Sequence, residues 1–160
     1  MRAMEPTRET LVMYGAASTA EPLEWAWADG ELAAAGTYWV VPPTPSPGAR
    51  PHPRPVWGVW TAPDLHLSVG SPVLARSLPT GAPVTAHLDS GTDVVVVEAT
   101  VTGHTADPDL VAAYDAKYDY RYDVDEYGPL TSVRAERVLA WRSAGPAGRD
   151  GFRRTARWRF

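Results

Sequence analysis

A mostly β fold, a small barrel or sandwich with flanking helices, is what the sequence predicts, and three observations carry it. Seven short runs of strand character, TYWVV, RPVWGVW, LHLSV, VTAHLD, DVVVVEATVTG, SVRAERVLAW and RRTARWRF, recur between glycine and proline punctuation. Only two longer segments have helical character. The 160 residues with 44% hydrophobic content are the size of one domain with a real core.

Taken in order, residues 1–16 lack periodicity and are expected to form a mobile arm, leaving 17–160 as one domain. Ser18 with Glu21 fits a capping box, Pro22 suits a first turn, and the alanine-rich LEWAWADGELAAAG favours helix to about Gly36, with Gly30 its weak point. In ARPHPRPVWGVW, Pro51, Pro53 and Pro55 share one parity of an extended segment, so their missing N–H groups would all have faced the same neighbour. That side cannot pair normally. It is either a sheet edge protected by proline or, beside Trp57, Gly58 and Trp60, an open place for a flat ligand. The corner SVGSPVLARSL, Ser68 to Leu78, follows an apolar run and opens a helix, the shape of an anion-binding corner, with Arg76 as its only charge. A second longer helix is expected at Asp109 to Tyr118, capped by Asp107, with Leu110, Ala113, Tyr114 and Lys117 on one face. The following segment is rich in carboxylates and tyrosine and reads as a solvated loop or lid. As a strand, GFRRTARWRF puts Phe152, Ala156, Trp158 and Phe160 with Arg154 on one face, and Arg153, Thr155, Arg157 and Arg159 on the other. The basic face needs either carboxylates such as Glu98, Asp93 or Glu136, or a bound anion.

Composition narrows the function. Cysteine is absent, which excludes disulfides, thiol nucleophiles and cysteine-ligated metals. A net charge of −4 argues against a nucleic-acid partner. No apolar run is long enough for a membrane span, and Glu5 and Glu9 sit where a signal peptide would be uncharged, so a cytoplasmic protein without membrane contact is expected. His52, His66, His87 and His104 have no ligand spacing and no metal is expected. The carboxylates Asp115, Asp119, Asp123, Asp125 and Glu126 lack the order of a calcium loop. Neither G-x-S-x-G nor a Walker loop is present.

Across residues 17–160, and most specifically in GARPHPRPVWGVW, AAYDAKY and TARWRF, the chain resembles the pyridoxamine 5′-phosphate oxidase-like split β-barrel proteins that bind flavin or deazaflavin, in particular their deazaflavin-dependent branch. The resemblance implies a six- to seven-stranded antiparallel split barrel, a homodimer, and FMN or the deazaflavin coenzyme F-420 as cofactor. It places Arg54, Pro55, Val56 and Trp57 against the ring, and Ser68, Gly70, Ser71 and Arg76 at the phosphate corner. That corner reads S-T-G-(two or three residues)-R-K-A-R-N-L in the family. Here Val73 and Leu74 stand where the basic pair belongs, and Val69 replaces the threonine. Arg157, Trp158 and Arg159 of the last strand join the cofactor-binding candidates, with the arginines sharing the anion's charge.

Two functions follow. The first is an oxidoreductase passing hydride between reduced cofactor and an electron-poor small molecule such as an enone or quinone, with Tyr118, Tyr120, Tyr122 and His52 as candidate proton donors. The second is a non-catalytic split barrel that binds or sequesters a flavin, deazaflavin or tetrapyrrole, with a degenerate phosphate site.

Overall fold

The computed structural model describes residues 5–9, 11–13, 16–17, 21–142 and 154–160. Ser18 of the expected capping box, and Phe152 and Arg153 of the last strand, lie outside the described residues. The elements in chain order are strands β1 (Thr7–Glu9), β2 (Val12–Met13) and β3 (Ala16–Ala17), helix α1 (Trp25–Ala34), and strands β4 (Tyr38–Val41), β5 (Arg54–Val56), β6 (Gly58–Thr61) and β7 (Asp64–Leu67). They continue with α2 (Pro72–Arg76), β8 (Pro83–His87), β9 (Asp93–Thr105), α3 (Pro108–Tyr118), α4 (Val124–Tyr127), β10 (Leu130–Arg142) and β11 (Arg154–Arg159).

Every strand pair is antiparallel, and the main sheet runs β1-β11-β10-β9-β8-β4-β5, with β6 paired to β7 and β7 to β10. The continuous segment 54–61 closes the ring, because its first half pairs with β4 and its second half with β7. The long strand β10 serves two neighbours on one side, β7 at residues 131–134 and β11 at residues 137–142, and two register shifts against β9 supply the bend. Alternation decides the faces: in β9, Val95, Val97, Ala99 and Val101 are buried while Glu98 and Thr102 are not.

The interior is closed by α1, whose Ala28 and Leu32 are buried in one cluster with Tyr38, Trp60, Leu65, Leu67, Val138 and Trp158. Asp29 fixes the helix by accepting the Trp60 indole N–H at 2.7 Å. Trp25 meets Trp158 and Phe160 edge-on at 5.3 and 5.2 Å. The helix begins at Trp25 with Glu24 as a cap that makes no side-chain bond, so Glu21 and Pro22 precede it rather than open it. Helix α3 packs outside the barrel, where Tyr114 joins Val59, Tyr122 and Leu130 in a second cluster. Its inward face includes Leu110, Val111, Tyr114 and Tyr118, and Ala113, expected on that face, is exposed.

Two departures from the sequence reading concern the ends. Within residues 1–16, expected as an arm without regular structure, Thr7–Glu9 pairs with β11 in the register Thr7↔Arg159, Arg8↔Trp158, Glu9↔Arg157. The basic face of β11 is thereby matched, but by none of the carboxylates named from sequence. Glu9 contacts Arg157 and Arg159, each at 2.7 Å. Glu98 and Asp93 pair instead with Arg137 and Arg142, and Glu136 accepts from Thr100.

Candidate functional site

Strand β5 ends the sheet order, and its prolines determine which side stays open. Opposite Trp39, Pro55 has no N–H to give, so the bonds to β4 run through the flanking pairs Tyr38↔Val56 and Val40↔Arg54. The backbone of Pro55 therefore faces away from β4, toward the line along which β7 would continue. There β7 ends at Leu67, and one more bond, Ser68 N–H to Trp57 O at 2.9 Å, is made before the chain turns away. Between the proline edge and this corner lies a cavity of about 460 Å³, lined by Arg54, Pro55, Val56 and Trp57 on one wall and Ser68, Gly70, Ser71 and Leu74 on the other. Tyr114, Tyr120, Tyr122 and Tyr127 complete the lining. The volume falls in the range of small-ligand sites, roughly 300–1,000 Å³.

The tyrosines are positioned by carboxylates acting as local caps. Asp107 caps α3 by accepting from Asp109 N–H, Asp115 accepts Tyr122 N–H at 2.8 Å, and Asp123 caps α4 through Asp125 and Glu126 N–H. The segment expected as a solvated loop is thus partly helical and built around these bonds. Asp119 takes a left-handed conformation, φ 48°, that ends α3 and turns Tyr120 toward Trp57, edge-on at 6.2 Å. The Trp57 indole stacks on Tyr118 at 4.7 Å with 6° between planes, and at 45% exposure it presents the rest of its surface to the cavity. Burial pushes the Tyr114 phenol up to about 12 and raises those of Tyr118 and Tyr122, while bonding to Tyr120 and Glu126 raises that of Tyr127. At neutral pH these phenols are uncharged and able to donate. That of Tyr122 donates to Gly128 O at 2.9 Å, and the Ser68 hydroxyl faces both Tyr114 and Tyr122.

Behind Trp57, Gly58 turns its N–H and C=O to the other side of the strand, past the start of β4. The Tyr118 hydroxyl accepts that N–H at 2.9 Å, and Tyr118 and Lys117 donate to the carbonyl at 3.0 and 2.9 Å. Lys117, the only lysine in the chain, also reaches the Tyr38 hydroxyl at 3.0 Å. Its ammonium makes no ion pair among the described residues, and burial lowers its pKa to about 8. A side chain on Gly58 would meet His66 O at 2.7 Å, so the close approach of β6 and β7 requires glycine there.

Of the residues singled out from sequence, Arg54, Pro55, Val56, Trp57, Ser68, Gly70, Ser71, Tyr120 and Tyr122 line one cavity, with Tyr118 directly behind it. His52 is exposed ahead of β5 and is not in the lining. Arg76 is exposed in the last turn of α2, Trp158 is buried in the core, and Arg157 and Arg159 are held by Glu9, so these four lie apart from the cavity. The sequence reading missed Tyr114 and Tyr127 as lining residues and Lys117 as the support behind Trp57. Lys117 carried a signal in being the chain's lone lysine, on a face with Tyr114. Among the described residues no group of three or more His, Asp or Glu could hold a metal ion, and no helix is long and apolar enough to cross a membrane.

No family model and no curated protein matches the chain. Solved structures do. A protein described as an F-420 reductase is similar at 14% identity and TM-score 0.54, covering 68% of this chain and 93% of its own. The FAD binding protein from Mycobacterium smegmatis covers 86% of this chain and 98% of its own at 12% identity and TM-score 0.54. A Clostridium acetobutylicum protein related to general stress protein 26, of the pyridoxinephosphate oxidase family, covers 75% and 91% at 13% identity and TM-score 0.53. The fold is that of the split-barrel flavin-binding proteins. In this split barrel the split is the gap between β5 and the corner after β7, and the cavity occupies it.

Proposed function

We propose that the chain binds the flat ring of a flavin or deazaflavin in the split and is an oxidoreductase acting on an electron-poor small molecule of the enone or quinone type. The observation that carries this reading is the Trp57 platform. It is an indole already stacked on Tyr118, exposed into a cavity of suitable size, beside a strand edge from which proline has removed the N–H donors. Stacking and an apolar wall at Val56 and Leu74 suit a tricyclic ring, and the phenols around it offer donors to its polar edge. Likeness of fold to an F-420 reductase and an FAD binding protein supports the same class of ligand.

A bound reduced flavin or deazaflavin supplies the hydride, so the residues of the chain need only orient the ring, exclude water and hold a proton. Trp57 and Leu74 orient, and the tyrosines narrow the mouth. Tyr118 and Tyr122 already donate to backbone carbonyls. Tyr120, exposed at the rim, reaches both cavity and solvent and is the better proton donor of the three. The reading includes a homodimer, in which a second copy covers exposed apolar surface at Trp57 and Tyr127. Titration with flavins and deazaflavins, followed by fluorescence, should show saturable binding that Trp57→Ala weakens about tenfold. Reoxidation of reduced ligand by enones or quinones only in the presence of protein is the expected activity. Binding without such turnover would leave a ligand-holding protein and refute the enzyme.

A further inference from the structure

We infer that the cavity selects tricyclic ligands with an uncharged polyol tail, the riboflavin and deazariboflavin class, over forms that carry a phosphate. The inference rests on the ring-binding reading above and concerns the other end of the ligand. Among the described residues, Arg54 is the one cation in the lining, and it is exposed and already donates to Pro53 O at 3.1 Å. A solvated guanidinium contributes little to an ion pair. The corner adds no second charge. Val73 stands on it 58% exposed and Leu74 is buried in it, while Arg76 leaves from the far end of α2.

Part of that corner's backbone donors is consumed as well, and the Gly70, Ser71 and Val73 N–H groups that remain are neutral and bring no formal charge. Pro72 has none, the Ser71 hydroxyl takes the Leu74 N–H at 3.4 Å, and the Ser71 carbonyl takes the Ala75 N–H at 2.9 Å. Arg157 and Arg159 are committed to Glu9, and Arg121 sits in the adjoining cleft among Asp123, Asp125 and Glu126. What faces the cavity instead is the chemistry of hydroxyl recognition. The Ser68 and Tyr114 hydroxyls both donate and accept, the Tyr122 hydroxyl, whose proton goes to Gly128 O, accepts, and the outward carbonyl of Pro55 accepts only. A polyol satisfies both kinds of partner, whereas a phosphate, which only accepts, meets the carbonyl and the acidic rim unfavourably.

The test is titration of the full chain with riboflavin and with FMN at low and high ionic strength. The expected result is a riboflavin Kd equal to or below that of FMN, with a ratio that salt does not change. An FMN advantage of about tenfold or more that collapses in salt overturns the inference and leaves ring binding intact. Failure of both ligands at about 100 µM overturns the ring-binding reading and the inference with it. Val73→Arg, at an exposed position that does not threaten folding, is expected to tighten FMN severalfold and leave riboflavin unchanged. No gain for FMN would place the tail away from this corner and also overturn the inference.

Discussion

Replacing Lys117 by methionine removes an ammonium that the fold keeps half-buried with no carboxylate paired to it among the described residues. Its pKa is lowered from 10.5 to about 8 because burial disfavours the charged form. In the folded protein the proton therefore leaves near pH 8, while the unfolded chain holds it to about 10.5. Between those values the unfolded state binds more protons, so stability rises with pH across the window and the gain is lost as pH falls through 8. A shift of this size on a fully desolvated group is worth about 3 kcal/mol, and solvent screening of a half-buried one reduces it to about 1–2 kcal/mol. Tyr38, Tyr114 and Tyr118 work in the opposite sense, since their raised values make stability fall once the unfolded phenols titrate near pH 10. They are present in both proteins, so the difference between wild type and Lys117→Met isolates the lysine. Urea denaturation from about pH 7.5 to 9.5 should show that difference moving by about 1 kcal/mol in favour of the wild type. Parallel profiles would refute the reasoning and place the ammonium in water.

Other perturbations test the frame around the cavity. Gly58→Ala forces a methyl group against His66 O and should cost about 1–3 kcal/mol in urea denaturation. Gly30→Ala adds a methyl group in the middle of α1 where nothing lies within 4 Å, and should stabilise by roughly 0.5–1 kcal/mol by the same measurement. His66 bonds Thr61 and Ser132 hydroxyls at 3.0 and 2.8 Å, and burial lowers its pKa. Stability should therefore fall as pH drops below about 6.5, with His66→Gln flattening that part of the profile.

Much of the barrel was legible because its signals are local. Valine-rich runs bounded by glycine and proline marked β4 and β7–β10, and the parity of Pro51, Pro53 and Pro55 marked an open edge, where β5 now ends the sheet. What escaped depends on partners far apart in the chain. Thr7–Glu9 has no periodicity of its own, and only β11 makes it a strand, just as Glu9 answers Arg157 and Arg159 from the opposite terminus. The single run RPVWGVW hid two strands, because its two halves pair with different neighbours on either side of Trp57. In the site, the strand and corner were readable from their residue types. The tyrosine wall was only half readable: Tyr120 and Tyr122 were named from sequence, whereas Tyr114 read only as a residue of a helix face and Tyr127 is brought in by a short helix that Asp123 caps.

The segment 54–61 has two stretches of backbone without a strand beside them, and the chain treats them in opposite ways. At Gly58 the free N–H and C=O remain able to bond, and leaving them dry would be costly. Helix α3 supplies a phenol and an ammonium to satisfy them, and the seam closes. At Pro55 the donor is missing from the covalent structure, so no obligation to pair remains beyond one carbonyl, and among the described residues no element is drawn in to cover it. Both stretches flank Trp57, which explains why its indole is held from behind by Tyr118 yet open in front. The closed seam gives the platform rigidity and the proline edge gives it access. A change that restores a donor at the edge, Pro55→Val, should therefore weaken ring binding by inviting pairing across the split. A change that breaks the seam, Tyr118→Phe, should loosen Trp57 while leaving the cavity open. Fluorescence anisotropy of Trp57, in a variant retaining few other tryptophans, separates the two: slower local motion with weaker binding for the first, faster local motion for the second. The reverse pattern would refute this division of roles.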